Sequence, residues 1–313
     1  GAVRSSSMQQ VIVDTTVMPK AIAHPTDSRL LDKSRKHLVK AAEDNGLQLR
    51  QNYNRVAPRL AAQIGRYAHA KQFKRMNKAV RTLRTRVGRV HREVQRQLHM
   101  LPETAKVKVQ DLLQRTGRIL TQRTKDKNKL YALHAPEVEC ISKGKAKQPY
   151  EFGVTMGIAS TTQLQGNLIV GARAFHGNPY DGHTLAEQLE QAAILMQDSA
   201  ARPTTAFVDL GYRGVDADHP DVHIVHRGKT TRLSEQERKQ LRRRQAIEPI
   251  IGHLKTDHRM DRCHLKGERG DRLHAVLCAA GFNIKWLLRM IVKKGVTFLP
   301  SLFLCLQQAS GLG

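Results

Sequence analysis

The feature that most constrains the fold is a long basic helical stretch that directly follows a single apolar strand. Residues 9–17, QQVIVDTTV, are a β-branched run that predicts a buried strand. Residues 28–125 then carry helical periodicity, and short strands separated by turns begin after about residue 130. We therefore expect an α/β fold with a mixed sheet flanked by helices and a long basic α-helical insertion after the first strand.

The insertion contains two segments whose apolar residues recur at helical spacing. A first segment has a heptad-like seam and is expected to end at Pro102. A second segment, around residues 109–120, could fold back as a helical hairpin. Strands are expected later in the chain at 133–141, 150–160, 167–175, 204–214 and 222–227. A final apolar helix over 271–293 would cover the sheet.

The charge of the chain predicts a polyanionic partner. Lys and Arg total 53 against 27 Asp and Glu, and within residues 51–130 the count is 21 against 4. Double-stranded DNA is the expected partner, because 4% aromatic content is too low for the stacking platforms of single-strand binders. A solvated charged helix face is the alternative reading of these arginines.

Cysteine usage and the N-terminal residues bear on the compartment. The four cysteines have no CxxC spacing, which argues against a zinc site or a disulfide framework and for free thiols in a reducing cytosol. Residues 1–10 lack the apolar core of a signal peptide, and charges interrupt the apolar span 284–306. We expect a cytoplasmic, nucleoid-associated bacterial protein with no membrane partner.

Two acids lie at strand positions that call for an explanation. Asp14 lies inside the apolar strand VIVDTTV, where a carboxylate is costly unless it is paired, hydrogen-bonded or bound to a metal. Asp209 ends the predicted strand TTAFVD, just before a glycine turn. The alternative for Asp14 is a strand-end residue that caps the following turn. Asp181 and Thr184 precede a predicted helix, and we read them as helix caps.

A third acid, Glu248, lies in the helical segment RRRQAIEPIIGHLKTDHRM, residues 242–260. On a helical wheel, Arg244, Lys255 and Arg259 fall within about 40° of Glu248. The opposite face carries an apolar stripe of Ile247, Ile250, Ile251 and Leu254. Pro249 is expected to kink or restart the helix. The alternative is a surface helix whose Glu248 forms ordinary salt bridges.

Together these three acids suggest a metal site. Asp14, Asp209 and Glu248 could meet at one edge of the sheet, where their oxygens would suit two Mg²⁺ ions for phosphoryl transfer. A basic chain would bring a phosphodiester to them. This combination is what a DNA strand-cleaving enzyme needs.

Several blocks of the sequence resemble the DDE transposases of the insertion sequence 5 family, within the ribonuclease-H-like transposases and integrases. The resemblance covers about residues 9–290. The blocks are VDTTVMPKAIAHPTDSRLL (13–31), RYAHAKQFKR (66–75), LHAPEVECISKGKAKQPYEFG (133–153), GNPYDGHTL (177–185), DLGYRG (209–214) and RRRQAIEPIIGHLKTDHRM (242–260).

The resemblance implies a ribonuclease-H-like catalytic core and assigns three catalytic and metal-binding acids. By it, Asp14, Asp209 and Glu248 are those acids, with Mg²⁺ as the cofactor and Mn²⁺ as a substitute. In the Y-x2-R-x3-E-x6-K pattern of related transposases, Arg244, Glu248 and Lys255 keep the spacing and Leu241 replaces the tyrosine.

The resemblance also implies a reaction and a domain organisation. Hydrolysis at a transposon end would release a 3′-OH, which would then attack target DNA without a covalent enzyme intermediate. The expected regions are 1–27 with the first strand and first acid, 28–129 with the insertion, 130–293 with the rest of the core, and a tail at 294–313. Relatives carry a further N-terminal helical region, which we expect this chain to lack.

Twelve residues are the expected DNA contacts. Arg244 and Lys255 would hold phosphates or orient the acid, Tyr212 and Arg213 would shape the site beside Asp209, and the others are basic side chains. The full set is Arg244, Lys255, Arg259, Arg213, Tyr212, Lys71, Lys74, Arg75, Arg81, Arg84, Lys143 and Lys145. The partners would be the terminal inverted repeats and target DNA, bound by a homodimer when active. The alternatives are a truncated, inactive, transposase-derived DNA-binding protein and a host nuclease of ribonuclease H type.

Overall fold

The computed structural model describes residues 8–142, 149–162, 167–197 and 201–294. The chain divides into two compact units. We call Gly1–Ala21 together with Ile141–Gly313 the sheet unit, and Ile22–Cys140 the helical unit.

The sheet unit is built on a mixed sheet that has β1 at its centre. The six strands found among the described residues are β1 (Gln10–Pro19), β2 (Glu139–Ser142), β3 (Tyr150–Thr161), β4 (Ile169–Phe175), β5 (Thr205–Phe207) and β6 (His223–Val225). Their order is β2-β3-β1-β5-β6, and β4 also pairs with β3. β1 is antiparallel to β3 and parallel to β5, and β5 is parallel to β6.

Helices cover both faces of this sheet. They are α5 (Leu185–Leu195), α6 (Glu235–Arg243), α7 (Ile247–Asp257) and α8 (Gly267–Lys294). Successive β1 residues point to opposite faces, so Val11 and Val13 pack with α5, whereas Ile12 packs with α7 and α8. Burying one such side chain contributes about 1.5–3 kcal/mol. The expected α/β fold, a mixed sheet flanked by helices, is confirmed.

A buried polar cluster ties the end of β1 to α8. Lys20 Nζ donates to Asp271 Oδ1 at 2.6 Å, and both side chains are at least 95% buried. His176 Nε2 lies 3.2 Å from Asp271 Oδ2, and the Cys263 thiol donates to Asp271 Oδ1 at 3.3 Å. Burial alone would raise the pKa of Asp271, but the hydrogen bonds from His176 and Lys20 hold it below its usual value. The cluster thus satisfies a charge that would otherwise be costly to bury.

α8 is apolar on its outer as well as its inner side. Ala275, Cys278 and Ala279 are buried against the sheet, while a row of apolar side chains on the other side stays exposed. By length and composition alone, Gly267–Lys293 is apolar enough to cross a membrane. The absence of a membrane partner stays a prediction. Cys140, Cys263 and Cys278 are free thiols, as expected.

The helical unit contains α1 (Asp27–Asp44), α2 (Val56–His69), α3 (Phe73–Arg96) and α4 (Glu103–Thr121). The predicted seam is confirmed along α3, where four residues are fully buried: Leu83, Val87, Val90 and Val94. The predicted end at Pro102 was wrong. α3 ends at Arg96, a short 3₁₀ turn covers Leu98–Met100, and Pro102 directly precedes α4. α4 buries Val109, Leu113, Thr116 and Ile119, as the hairpin prediction requires.

Candidate active site

The register between β1 and β5 brings two of the predicted acids to one level of the sheet. The parallel pairing places Ile12 beside Phe207, and Asp14 and Asp209 each lie two residues further along. Because side chains on a strand alternate with a period of two, this equal offset favours the same side of the sheet for both carboxylates. The strand register therefore sets the level of this pair in the sheet.

Asp14 is a mostly buried carboxylate with two donors. Its Oδ1 accepts from the backbone amide of Thr15 at 2.8 Å, and its Oδ2 accepts from Arg244 Nη1 at 3.0 Å. Burial raises the pKa of Asp14 above its ordinary value, and the nearby charges of Asp209 and Asp181 raise it further. The Thr15 amide and the Arg244 guanidinium oppose the increase in pKa without cancelling it.

Asp209 follows β5 and opens a 3₁₀ turn over Leu210–Tyr212. Its Oδ1 accepts from the backbone amide of Leu210 at 2.8 Å and lies 3.6 Å from Arg244 Nη2. The Asp209 side chain is 53% exposed and that of Asp14 is 20% exposed. One carboxylate is therefore open to a ligand, while the other is held inside the fold.

Arg244 joins the two carboxylates from a break between two helices. α6 ends at Arg243, a 3₁₀ turn spans Arg244–Ala246, and α7 begins at Ile247. Arg244 is 8% exposed and points into the sheet unit, not along a helix surface. The helical wheel that placed Arg244 above Glu248 was therefore wrong, because the α-helical periodicity stops between them.

The same break bears on the expectations for Pro249 and Arg259. The helix restarts at Ile247, close to the expected position, and Pro249 lies in the first turn of α7, where a backbone N–H has no partner within the helix. α7 ends at Asp257, and Arg259 follows with a left-handed φ of 58°, so it does not share a helix face with Glu248. The predicted apolar stripe is confirmed, with Ile247, Ile250 and Leu254 buried.

Glu248 lies exposed in the first turn of α7, and the described residues give it no hydrogen bond or ion pair. Across the described residues, no three His, Cys, Asp or Glu side chains are grouped so that they could hold a metal ion. Asp14 and Asp209 nevertheless offer hard oxygen donors that share one cationic neighbour, and this chemistry suits a divalent cation. The assignment of Glu248 as the third acid stays a prediction.

Asp181 is a site residue that sequence reasoning missed. Its Oδ1 accepts from the Thr15 hydroxyl at 2.7 Å, and a Cβ added at Gly211 would lie 2.9 Å from its Oδ2. The reading of Asp181 and Thr184 as side-chain caps was wrong. Thr184 is the residue before α5, but its hydroxyl donates to the Asp181 carbonyl. Asp181 thus contacts the strand of Asp14 and the turn that follows Asp209.

Comparison with known proteins bears on one part of this site. Residues 213–288 match a family model described as a transposase DDE domain. This match supports a DDE transposase family. The matched segment contains Arg244, Glu248 and Lys255, and Asp14 and Asp209 lie outside it.

One similar protein is the uncharacterized protein ORF8 in the nfe locus of Rhizobium meliloti. It is 56% identical over 73 residues, which cover 23% of this chain and 35% of that protein. The chain thus aligns with about a third of the length of this relative. No solved structure matches the chain.

Tyr212 and Arg213, beside Asp209, differ in exposure. Tyr212 is completely buried, and its hydroxyl lies 3.5 Å from Gln188 Nε2. Burial raises the pKa of Tyr212 far above its ordinary range. Tyr212 therefore shapes the turn after Asp209 from inside and offers no surface to DNA, whereas Arg213 is exposed beside it.

The other predicted DNA contacts are distributed over both units. In the helical unit, Arg84 is partly buried, and its Nη2 lies 3.7 Å from Asp27 Oδ2. The remaining members in this unit are exposed: Lys71, Lys74, Arg75 and Arg81. In the sheet unit, Lys255 is partly buried on α7 and Arg259 is exposed. Lys143 and Lys145 lie outside the described residues. The DNA contacts stay predictions.

Proposed function

We propose that this chain is a DDE transposase that cleaves phosphodiesters at transposon ends and transfers the freed strand into target DNA. The observation that carries the proposal is the convergence of Asp14 and Asp209 on Arg244, at one level of the central strands. The transposase DDE match over residues 213–288 supports the same reaction class.

We further propose the insertion sequence 5 family and a ribonuclease-H-like core as the finer classification. The support is the set of sequence blocks that resemble that family, together with a mixed sheet whose first strand is central. The active form would be a homodimer on paired ends, acting on the nucleoid in the cytoplasm. Terminal inverted repeats and target DNA would be its substrates.

In this proposal, Asp14, Asp209 and Glu248 hold Mg²⁺, or Mn²⁺ in its place. When bound, the metal supplies stabilisation of the attacking and leaving oxygens. Arg244 donates to Asp14 and lies 3.6 Å from Asp209 Oδ1, so one guanidinium offsets the charge of both aspartates. Thr15 orients Asp14 through its amide and Asp181 through its hydroxyl. These contacts hold the two aspartates in place before DNA arrives, which is the preorganisation that phosphoryl transfer requires.

The proposed chemistry has two displacements at phosphorus. In the first, a water oxygen bonds to the phosphorus at the transposon end, and the departing 3′ oxygen takes a proton. In the second, that 3′-OH loses its proton and bonds to a target phosphorus, while the target's own 3′ oxygen leaves. Each step forms one P–O bond and breaks one, so no oxidant or covalent enzyme intermediate is needed.

The test is cleavage of transposon-end DNA by Asp209→Asn in Mg²⁺. Substituting a residue that only supports a metal ligand typically costs roughly 10–100-fold in activity. We expect a greater loss of cleavage rate here, because Asp209→Asn removes one metal-binding carboxylate and its charge. Asp218→Asn, an exposed acid on the next 3₁₀ turn, is the matched control and should cut like the wild type. Full Mg²⁺-dependent cleavage by Asp209→Asn would refute the assignment. Duplex binding by the wild type without nicking would favour the inactive DNA-binding alternative.

A further inference from the structure

A cavity lined by arginines lies within the helical unit, between α3 and the loop that precedes α2. Its volume is about 360 Å³. The lining residues are Arg50, Gln51, Tyr53, Arg89, Arg92, Glu93 and Arg96. We call this site the arginine pocket. Four arginines and one glutamate give its lining a formal charge of +3.

The loop side of the arginine pocket is anchored by a buried cation. Arg35 is 1% exposed, and its Nη1 donates to the Asn52 carbonyl at 3.1 Å and also to Asn54 Oδ1. Tyr53 between them has a left-handed φ of 55°, which is rare for a bulky residue. The loop is thus fixed in an unusual conformation by a side chain that solvent does not reach.

Contacts across the pocket fix the tyrosine and the single acid. Arg89 Nη1 donates to the Tyr53 hydroxyl at 3.2 Å, and Arg86 lies 5.8 Å from the centre of the Tyr53 ring. Glu93 accepts from the backbone amide of Arg50 at 3.2 Å. The glutamate is therefore engaged with the loop.

Arg92 and Arg96 remain as cations without a counterion. Both are exposed, and the structure gives neither a hydrogen bond nor an ion pair within the described residues. They lie four residues apart along α3, so their side chains leave the same part of the helix surface. Two unpaired guanidinium groups beside a rigid loop are suited to phosphate oxygens, which a guanidinium binds in bidentate fashion.

We propose that the arginine pocket is a phosphate-backbone site for duplex DNA, with Arg92 and Arg96 as its principal contacts. The inference rests on the proposed function, because that function makes DNA the polyanion. A backbone contact fits better than base stacking, since the lining contains one aromatic ring and Arg86 and Arg89 already occupy it. The contact would position the duplex without reading its sequence.

The test compares two double variants of the full chain that remove the same charge. Arg92→Gln/Arg96→Gln changes the pocket, and Arg59→Gln/Arg66→Gln changes two exposed arginines of α2. Binding of a duplex without terminal repeats is measured over a range of salt concentrations. Affinity falls as salt rises, and each lost phosphate contact should make the slope of log affinity against log salt shallower by about 0.9. The pocket variant should therefore lose about 1.8 in slope. With equal affinities at 1 M salt, this slope difference gives about 60-fold weaker binding at 0.1 M.

Three outcomes decide the proposal. Support requires that the α2 variant keep nearly the wild-type slope and that Arg92→Lys/Arg96→Lys keep it too, because lysine retains the charge. Equal losses in the pocket and α2 variants would show diffuse attraction and would overturn the site. A lysine variant whose salt slope falls as far as that of the glutamine variant would also overturn it, because lysine keeps the two charges and the number of released counterions should be unchanged.

Nicking separates this proposal from the proposed function. If the wild type and the pocket variant show the expected difference in slope but the wild type never nicks DNA in Mg²⁺, the transposase is refuted and the pocket is retained. A chain that nicks while both double variants bind alike refutes the pocket and retains the transposase. Duplex RNA of equal length is the remaining arm, and stronger binding of RNA than DNA through Arg92 and Arg96 would contradict a DNA site.

Discussion

Replacing Arg244 by glutamine is the most informative single change in the sheet unit. The substitution removes a guanidinium whose side chain is 10% exposed and whose neighbours are two carboxylates. The hydrogen bond to Asp14, at 3.0 Å and mostly buried, should account for about 1.5–3 kcal/mol, the range for bonds to charged groups. The 3.6 Å pair with half-exposed Asp209 adds at most about 1 kcal/mol after solvent screening.

We therefore expect Arg244→Gln to lower the free energy of unfolding by about 2–4 kcal/mol, because Asp14 is left as a poorly compensated buried charge. The assay is urea unfolding in EDTA, followed through the midpoint and the slope of the transition. Arg242→Gln is the matched control, since Arg242 is exposed near the end of α6, and it should stay within about 0.5 kcal/mol of the wild type.

A double-mutant cycle then isolates the pair. In Arg244→Gln/Asp14→Asn the carboxylate is gone, so the loss of the guanidinium should cost at least about 1.5 kcal/mol less than it does with Asp14 present. A loss of unfolding free energy in Arg244→Gln no greater than in Arg242→Gln would refute a stabilising role for Arg244. Additive effects of Arg244→Gln and Asp14→Asn would refute the ion pair, because Arg244 would then contribute only packing.

Two further changes test the surroundings of the site. In EDTA, Asp14→Asn should gain stability relative to the wild type as pH rises above about 4. The pKa of Asp14 is raised in the folded state, so the protonated carboxyl stabilises the wild type below 3.8. That stabilisation is lost as pH rises through the folded pKa, whereas asparagine does not titrate. Urea unfolding across pH 4–7 measures this, and a constant difference would contradict it. Gly211→Ala should reduce Mg²⁺-dependent cleavage several-fold by crowding Asp181, whose carboxylate lies 2.9 Å from the added Cβ. Gly65→Ala on α2 meets no atom within 4 Å and should leave cleavage unchanged, so equal cleavage by both variants would argue against the role of Asp181.

The elements that sequence reasoning predicted well are those with a local cause. The β-branched run around Asp14 forms β1, and the predicted heptad-like seam forms the buried side of α3. The predicted helix at the C-terminal end of the core forms as α8. In each case the deciding interactions lie within a few residues of one another along the chain.

The features that were missed depend on distant contacts. Thr15 and Asp181 are 166 positions apart, and nothing near Asp181 in the sequence indicates a partner on β1. Arg244 and Asp14 are 230 positions apart. Residues 242–260 fit one helical period well enough to suggest a single helix, so the helical wheel did not show the 3₁₀ turn that directs Arg244 inward. The spacing of apolar residues predicts which face of a helix is buried, but it does not locate a break in the helix.

The two aspartates of the proposed acid triad and Glu248 are positioned by different parts of the fold. The register of β1 and β5 sets the level of Asp14 and Asp209 in the sheet, because each lies two residues beyond the pair Ile12 and Phe207. Glu248 is set by the turn at Arg244–Ala246, because that turn determines where α7 begins and how its first residues are directed. Arg244 is the first residue of the turn and bonds to the strand of Asp14, so it holds the start of α7 against the sheet. The ion pairs of Arg244 and the placement of Glu248 are therefore coupled. A change at Arg244 should disturb the third acid before it disturbs the other two.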